Sequence, residues 1–147
     1  MMNFKTYDGF HDMGMIEKMN IVEFLHVHLD KYRDDKDSIG KAIEYALGES
    51  SQMGGFVIVA LLNEKITGAV VVNRTGMEGY IPENILVYIA VDAGFRGQGI
   101  GKTLMEKALD MAKGNIALHV EHDNPARFLY EKVGFTNKYL EYRLIRK

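Results

Sequence analysis

The segment Phe95-Arg96-Gly97-Gln98-Gly99-Ile100-Gly101-Lys102-Thr103-Leu104 sets three glycines at every second position, with an arginine ahead of them and a Lys-Thr pair behind. Without side chains, glycines let backbone N–H groups approach a ligand closely. Apolar residues then recur at Ile100, Leu104, Ala108, Met111 and Ala112, which predicts a helix ending at Gly114. A helix start offers unpaired N–H groups and the positive end of a dipole, so the chemistry implied is the holding of a phosphate or diphosphate. A Walker A loop does not fit, because its first glycine would fall on Arg96. A G-x-G-x-x-G dinucleotide fingerprint does not fit either, since its third glycine falls on Lys102 or Leu104. Glu121 nevertheless stands near where a ribose-binding acid is expected, which keeps that reading as an alternative. Arg-x-x-Gly-x-Gly is satisfied by Arg96, Gly99 and Gly101.

A second candidate is Tyr130. Ala126, Leu129, Tyr130 and Val133 share one helical stripe, so its ring is expected to face inward, where a tyrosine hydroxyl needs a partner. The histidines do not form a convincing metal set. His26 and His28 point to different helix faces, and His119 and His122 do not converge from a strand. No metal is expected.

These residues need a scaffold. A chain of 147 residues is expected to form a single domain, residues 1–147, with a sizeable core. A net charge of −2 gives no electrostatic reason to expect nucleic acid or an anionic membrane as partner. There is no cysteine to serve as thiolate ligand or nucleophile. The N-terminal stretch lacks the apolar core of a signal peptide, and the longest apolar run, Phe56 to Leu62, is too short to span a bilayer. These features favour a cytoplasmic location.

The periodicities predict strand 3–7, helix 12–31 and helix 37–48, the last capped by Asp37 or Ser38. On the first helix Met15, Met19, Val22, His26 and Leu29 fall on one stripe. A hairpin follows, "GFVIVALLN" and "ITGAVVVNR" around the turn "NEK", then a loop, then the strand 85–91, apolar on both faces and so central. After the glycine helix come strand 115–120, a short helix beginning near Asn124 and Pro125, and a last strand over "YLEYRLIR", 139–146. The expected fold is α/β, in the order β-α-α-β-β-β-α-β-α-β.

"YIAVDAGFRGQGIGKTLMEKAL", "LHVEHDNPARFLYEKVGF" and the hairpin "FVIVALLNEKITGAVVV" together resemble the GNAT N-acetyltransferase superfamily over about residues 54–136. The resemblance implies a mixed, mostly antiparallel central sheet with helices on both faces, and acetyl-CoA as co-substrate. It implies that Arg96, Gly97, Gln98, Gly99, Ile100, Gly101 and Lys102 bind the pyrophosphate, and that the pantetheine arm runs along Ile89, Ala90 and Val91. The Val91 N–H would polarise the thioester carbonyl, Asn124 would contact the arm, and Tyr130 would hydrogen-bond the departing thiolate.

The acceptor amine must lose a proton, since an alkylammonium has a pKa of about 10.4. Many family members place a carboxylate in the fourth strand, where this chain has Val87. Glu83 ranks first as the base; Glu121, His119, His122 and His26 follow. The function implied is acetyl transfer to a primary amine, on a small molecule or a protein, by direct attack. A homodimer is compatible with the chain. A non-catalytic acetyl-CoA-binding module and a dinucleotide-binding domain are the alternatives.

Overall fold

The computed structural model describes residues 1–49 and 53–146. Five strands, β1 (Met2–Tyr7), β2 (Gly55–Leu62), β3 (Lys65–Arg74), β4 (Asn84–Val91) and β5 (Ile116–Leu118), form one sheet in chain order. The first four pair antiparallel and β4 pairs β5 in parallel. The β2–β3 turn is two residues long. Asn63 and Glu64 take φ of 50° and 67°, the double left-handed turn whose twist suits a tight hairpin. A parallel neighbour needs a crossover, and α3 (Ile100–Met111) supplies it between β4 and β5.

Helices cover both faces, as the apolar runs of β2 and β3 require. α1 (Met15–His28) and α2 (Lys36–Ala46) set Ile21, Leu25, Ile39 and Ile43 against Val57, Val59, Ala69 and Val71. On the opposite face Leu104, Met105 and Ala108 of α3 meet Ile58, Val70 and Val72, and Tyr130 of α4 (Arg127–Lys132) joins them. Among the described residues no helix is long and apolar enough to cross a membrane.

Four features depart from the periodicity. The first helix stops at His28, because Asp30 turns left-handed at φ 54° and a 3-10 turn follows. Its buried face is Ile21, Phe24 and Leu25; Met15 and Met19 point to solvent, since α1 carries apolar residues on nearly every face. The cap of α2 is Asp35, whose Oδ1 accepts the Ser38 N–H at 2.7 Å, and neither Asp37 nor Ser38. Finally, residues 139–146 form no strand. Their alternation is that of a strand, but the chain sets them beside no other strand.

β4 contains a bulge. Val71 pairs with Tyr88 and Val72 with Leu86, so Val87 is an extra residue without a partner on β3. Val87 and Tyr88 both face the α1/α2 core, while Leu86 faces α3. A bulge bends its strand and ends regular pairing. Pairing of β4 with β5 stops at Leu86, the residue before the bulge.

Candidate functional site

Beyond Leu86 one edge of β4 is open. The Asp92 N–H donates to Thr67 O at 2.8 Å, so Asp92 faces β3. Antiparallel pairs alternate, so the main-chain groups of Val91, opposite Gly68, and of Ile89 point away from β3. On that side β5 has already diverged. Two N–H donors, on Ile89 and Val91, therefore line an unfilled strand edge leading to the glycine loop.

The loop is held from below. A 3-10 turn, Ala93–Phe95, is capped by Asp92, whose Oδ1 accepts the Gly94 N–H at 2.8 Å. Gly97 and Gly99 take φ of 82° and 84°, where a side chain is strained, and a Cβ on either would meet nothing within 4 Å. Backbone at these positions thus faces open space. Gly99 caps α3, and the first intrahelical bond runs from Thr103 N to Gly99 O, which leaves the N–H groups of Ile100, Gly101 and Lys102 without helical partners. No acidic residue stands in that first turn. The loop, Val91 and Leu129 enclose a cleft of about 230 Å³. A Cβ on Gly101 would make only ordinary contacts with Val91 and Leu129.

Arg96 has a second task. Its guanidinium donates to His28 O at 3.0 Å and to Val91 O at 3.3 Å, tying the loop to the C-terminus of α1. His28 answers from the same helix, with Nδ1 accepting the Ala93 N–H at 3.3 Å and Nε2 lying 3.6 Å from Asp92 Oδ2. Only the fold brings residue 28 beside residue 93.

Tyr130 is buried, at 8% exposure, and its ring lies edge-on to Phe135 with centroids 6.3 Å apart. Burial pushes its phenol up to about 12, and its hydroxyl has no hydrogen bond among the described residues. Asn124 Oδ1 accepts the Ala126 N–H at 2.9 Å, which opens the turn into α4. Lys102 and Gln98 are solvent-facing or nearly so.

Glu83 stands elsewhere. It precedes the first residue of β4, whereas Val91 is the last, so about 25 Å of strand at ~3.3 Å per residue separates them. Its carboxylate accepts the Asn115 N–H at 2.6 Å and the Gly79 N–H at 3.1 Å, which holds its pKa below the usual carboxylate range. Both oxygens are occupied in fastening the loop before β4 to the start of β5. His119, Glu121 and His122 lie after β5, where the Glu121 and His122 carbonyls accept bonds from Asn124 and Arg127. His26 is partly buried on α1.

A tyrosine–aspartate pair that only the fold brings together sits on the α1/α2 side of the opening. Tyr88 OH donates to Asp34 Oδ2 at 2.5 Å, and burial, then this carboxylate, raise the phenol's pKa well above its ordinary value. Nearby, Tyr32 OH donates to Asp123 O at 3.1 Å, so the connection between α1 and α2 reaches the segment after β5.

A sheet antiparallel through β1–β4 is not the parallel, doubly wound sheet of a dinucleotide-binding fold. It is one that opens beside a glycine loop at a helix mouth. Residues 53–137 match the acetyltransferase (GNAT) domain, and the chain belongs to that family. It is 34% identical over 85 residues to N-alpha-acetyltransferase 30 of Schizosaccharomyces pombe, covering 54% of this chain and 57% of that one. It is 42% identical over 60 residues to N-alpha-acetyltransferase RimI of Mycobacterium tuberculosis, covering 40% and 38%. The chain therefore spans about half the length, or less, of these curated relatives. The crystal structure of the NatC complex bound to Gag peptide and CoA shares the fold, with a TM-score of 0.71 at 21% identity over 94% of this chain and 86% of that one.

Proposed function

We propose that the protein moves an acetyl group from acetyl-CoA to a primary amine by direct attack. The observation that carries this reading is the open edge of β4: outward N–H groups on Ile89 and Val91, ending at glycine-borne N–H groups on α3. An extended amide-bearing arm pairs with the first, and a diphosphate seats on the second, with Lys102 adding charge. The amine nitrogen attacks the thioester carbonyl carbon, and charge gathers on the carbonyl oxygen beside the fixed Val91 N–H. Collapse breaks the C–S bond, CoA leaves as the thiolate, and the nitrogen, cationic after attack, gives its proton to solvent water. Tyr130, with its phenol near 12, stays neutral and donates a hydrogen bond to the departing thiolate; it does not surrender its proton outright.

The acceptor that suits this site is an α-amino group. Its pKa of about 7.7–8.0 leaves a useful neutral fraction near pH 7, whereas a lysine-type ammonium at about 10.4 needs a dedicated base. Val87 and the engaged carboxylate of Glu83 offer none. The relatives named N-alpha-acetyltransferases agree with this choice. Asp34, held by Tyr88, would meet the cationic form of the acceptor as it enters. A second reading, a non-catalytic acetyl-CoA-binding module, rests on Val87 standing where many family members carry a carboxylate.

Calorimetric titration with acetyl-CoA and with NADH, followed by CoA release in the presence of peptides with a free α-amine or only a lysine amine, tests the proposal. Acetyl-CoA is expected to bind, and the α-amine peptide to turn over faster. Gly99→Glu puts a carboxylate where diphosphate must lie and is expected to abolish binding while the fold persists. Unchanged binding by that variant would refute the loop assignment. Binding without turnover of any amine would establish the non-catalytic module.

A further inference from the structure

The 3-10 turn that leads into the glycine loop begins at Ala93, and the first N–H of a helical turn has no partner within it. His28, the last residue of α1, supplies one: its Nδ1 accepts the Ala93 N–H at 3.3 Å. A ring nitrogen that accepts carries no proton, so this bond assigns a neutral imidazole with its hydrogen on Nε2. Nε2 faces Asp92 Oδ2 at 3.6 Å, too long for a hydrogen bond but near enough for attraction. The other oxygen of Asp92 caps the same turn through the Gly94 N–H. One imidazole thus meets the turn at its cap and at its first residue.

The loop returns to the same residue. Arg96 donates to the His28 carbonyl oxygen at 3.0 Å. That bond uses the main chain of His28, so a substitution there removes the imidazole and leaves the acceptor for Arg96 in place. The ring is itself held: the Phe24 ring, one helical turn earlier, lies 4.6 Å away between centroids, and only 18% of the His28 side chain is exposed. Charged groups face it from each neighbouring element. They are Asp92 after β4, Lys65 on β3 with its Nζ 3.8 Å from Asp92 Oδ2, the Arg96 guanidinium, and Glu23 and Glu64 on a cleft of about 370 Å³ that His28 helps to line. Through that cleft solvent protons reach the ring.

We propose that His28 is a positioning residue for the cofactor loop, and that it holds residues 93–101 in place only while its imidazole is neutral. With a proton on Nδ1, two N–H donors face each other, and the ring must turn toward Asp92 or into the cleft. Either movement releases Ala93. It shifts the start of a loop whose N–H groups have to meet one diphosphate together, and small misplacements of such groups are costly. This role rests on the reading of the loop as the seat of acetyl-CoA.

Calorimetry with acetyl-CoA, and amide hydrogen exchange of residues 93–101 in the ligand-free chain, test it. His28→Leu removes the acceptor and keeps an apolar contact for Phe24. It should weaken acetyl-CoA binding at pH 8 by about threefold to tenfold, the worth of one net hydrogen bond, and speed exchange across the loop. Its kcat at saturating acetyl-CoA should stay near the parent's, since the loop binds ground state and transition state alike. His28→Asn sets an amide oxygen close to the place of Nδ1 and should restore both binding and exchange at pH 8. Between pH 8 and roughly pH 5, where imidazole takes up its proton, the parent should lose affinity more steeply than His28→Asn. Parent-like binding and exchange in His28→Leu would overturn the proposal. So would a His28→Asn chain as impaired as His28→Leu, or a parent that follows the same pH course as His28→Asn. A parent that does not bind acetyl-CoA would refute the loop assignment instead, while exchange in the ligand-free chain still decides the role of His28.

Discussion

Gly68 of β3 lies opposite Val91, beneath the first turn of α3. A Cβ at this position would stand 2.8 Å from Leu104 Cδ1 and 2.9 Å from Ile100 Cγ2. Both atoms are side-chain tips, but Leu104 is fully buried and Ile100 nearly so, and neither can swing into solvent. Gly68→Ala must therefore lift α3 from the sheet or force two side chains off their rotamers, and overpacking of this kind costs about 1–3 kcal/mol. At roughly 3 °C per kcal/mol for a chain of this size, the melting temperature should fall by about 3–9 °C. The part displaced is the turn that carries the Ile100, Gly101 and Lys102 N–H groups, so acetyl-CoA affinity should fall with it. Each ~1.4 kcal/mol lost from binding is tenfold in Kd, and a loss of up to about tenfold is expected. Gly40→Ala is the control, because a Cβ there meets nothing within 4 Å in α2 and should stabilise by about 0.5–1 kcal/mol. Scanning calorimetry and titration read both quantities. A Gly68→Ala protein that melts with the parent and binds acetyl-CoA with the parent's affinity would refute the idea that this close approach sets the height of the loop.

Tyr130→Phe should keep acetyl-CoA affinity and lower kcat, by up to about 10²-fold, the low end of what losing one preorganised hydrogen-bond donor to developing charge costs; an unchanged kcat with chemistry rate-limiting leaves Tyr130 as packing alone. Glu83→Gln should leave kcat/KM intact and lower the melting temperature near neutral pH, because the bonds from Asn115 and Gly79 hold the carboxylate's pKa down and stabilise only its charged form. A fall in kcat/KM at constant melting temperature would instead make Glu83 the proton acceptor. Glu17 accepts from Tyr7 OH at 2.5 Å, from the Gly14 N–H and from Lys5, and its pKa is lowered from 4.5 to about 2. Its contribution is present above 4.5 and lost as pH falls toward 2, so the parent's melting temperature should drop more steeply across that window than that of Glu17→Gln.

The glycine loop could be read from the sequence because its requirements are local. Positive φ at Gly97 and Gly99 and a helix start at Ile100 are written in consecutive residues. Tyr130 was legible for the same reason, as one face of one short helix. What escaped depended on distant partners. The N–H donors that engage both oxygens of Glu83 come from Gly79 and Asn115, and proximity to a strand mouth in sequence says nothing about which end of the sheet that mouth occupies. The Tyr88–Asp34 pair joins residues 54 apart. The stripe on α1 misled because Met15, Ile16 and Met19 are as apolar as the residues it buries, and only the sheet decides which face is covered. The segment 139–146 has the period of a strand, but a period specifies a conformation and not a neighbour.

Val87 has a consequence for how the site is kept available. Ile89 and Val91 offer donors that the chain's own fifth strand could take, since residues 119 and 120 follow β5 directly in the chain. A ligand arm and the sheet's own zipper thus compete for one seam, and the extra residue at the bulge decides the contest by bending β4 away before the zipper arrives. Deleting Val87 would leave every contacting residue in the chain. It should nonetheless let β5 run on alongside β4 and seal the seam, giving a better-paired sheet that no longer admits its ligand.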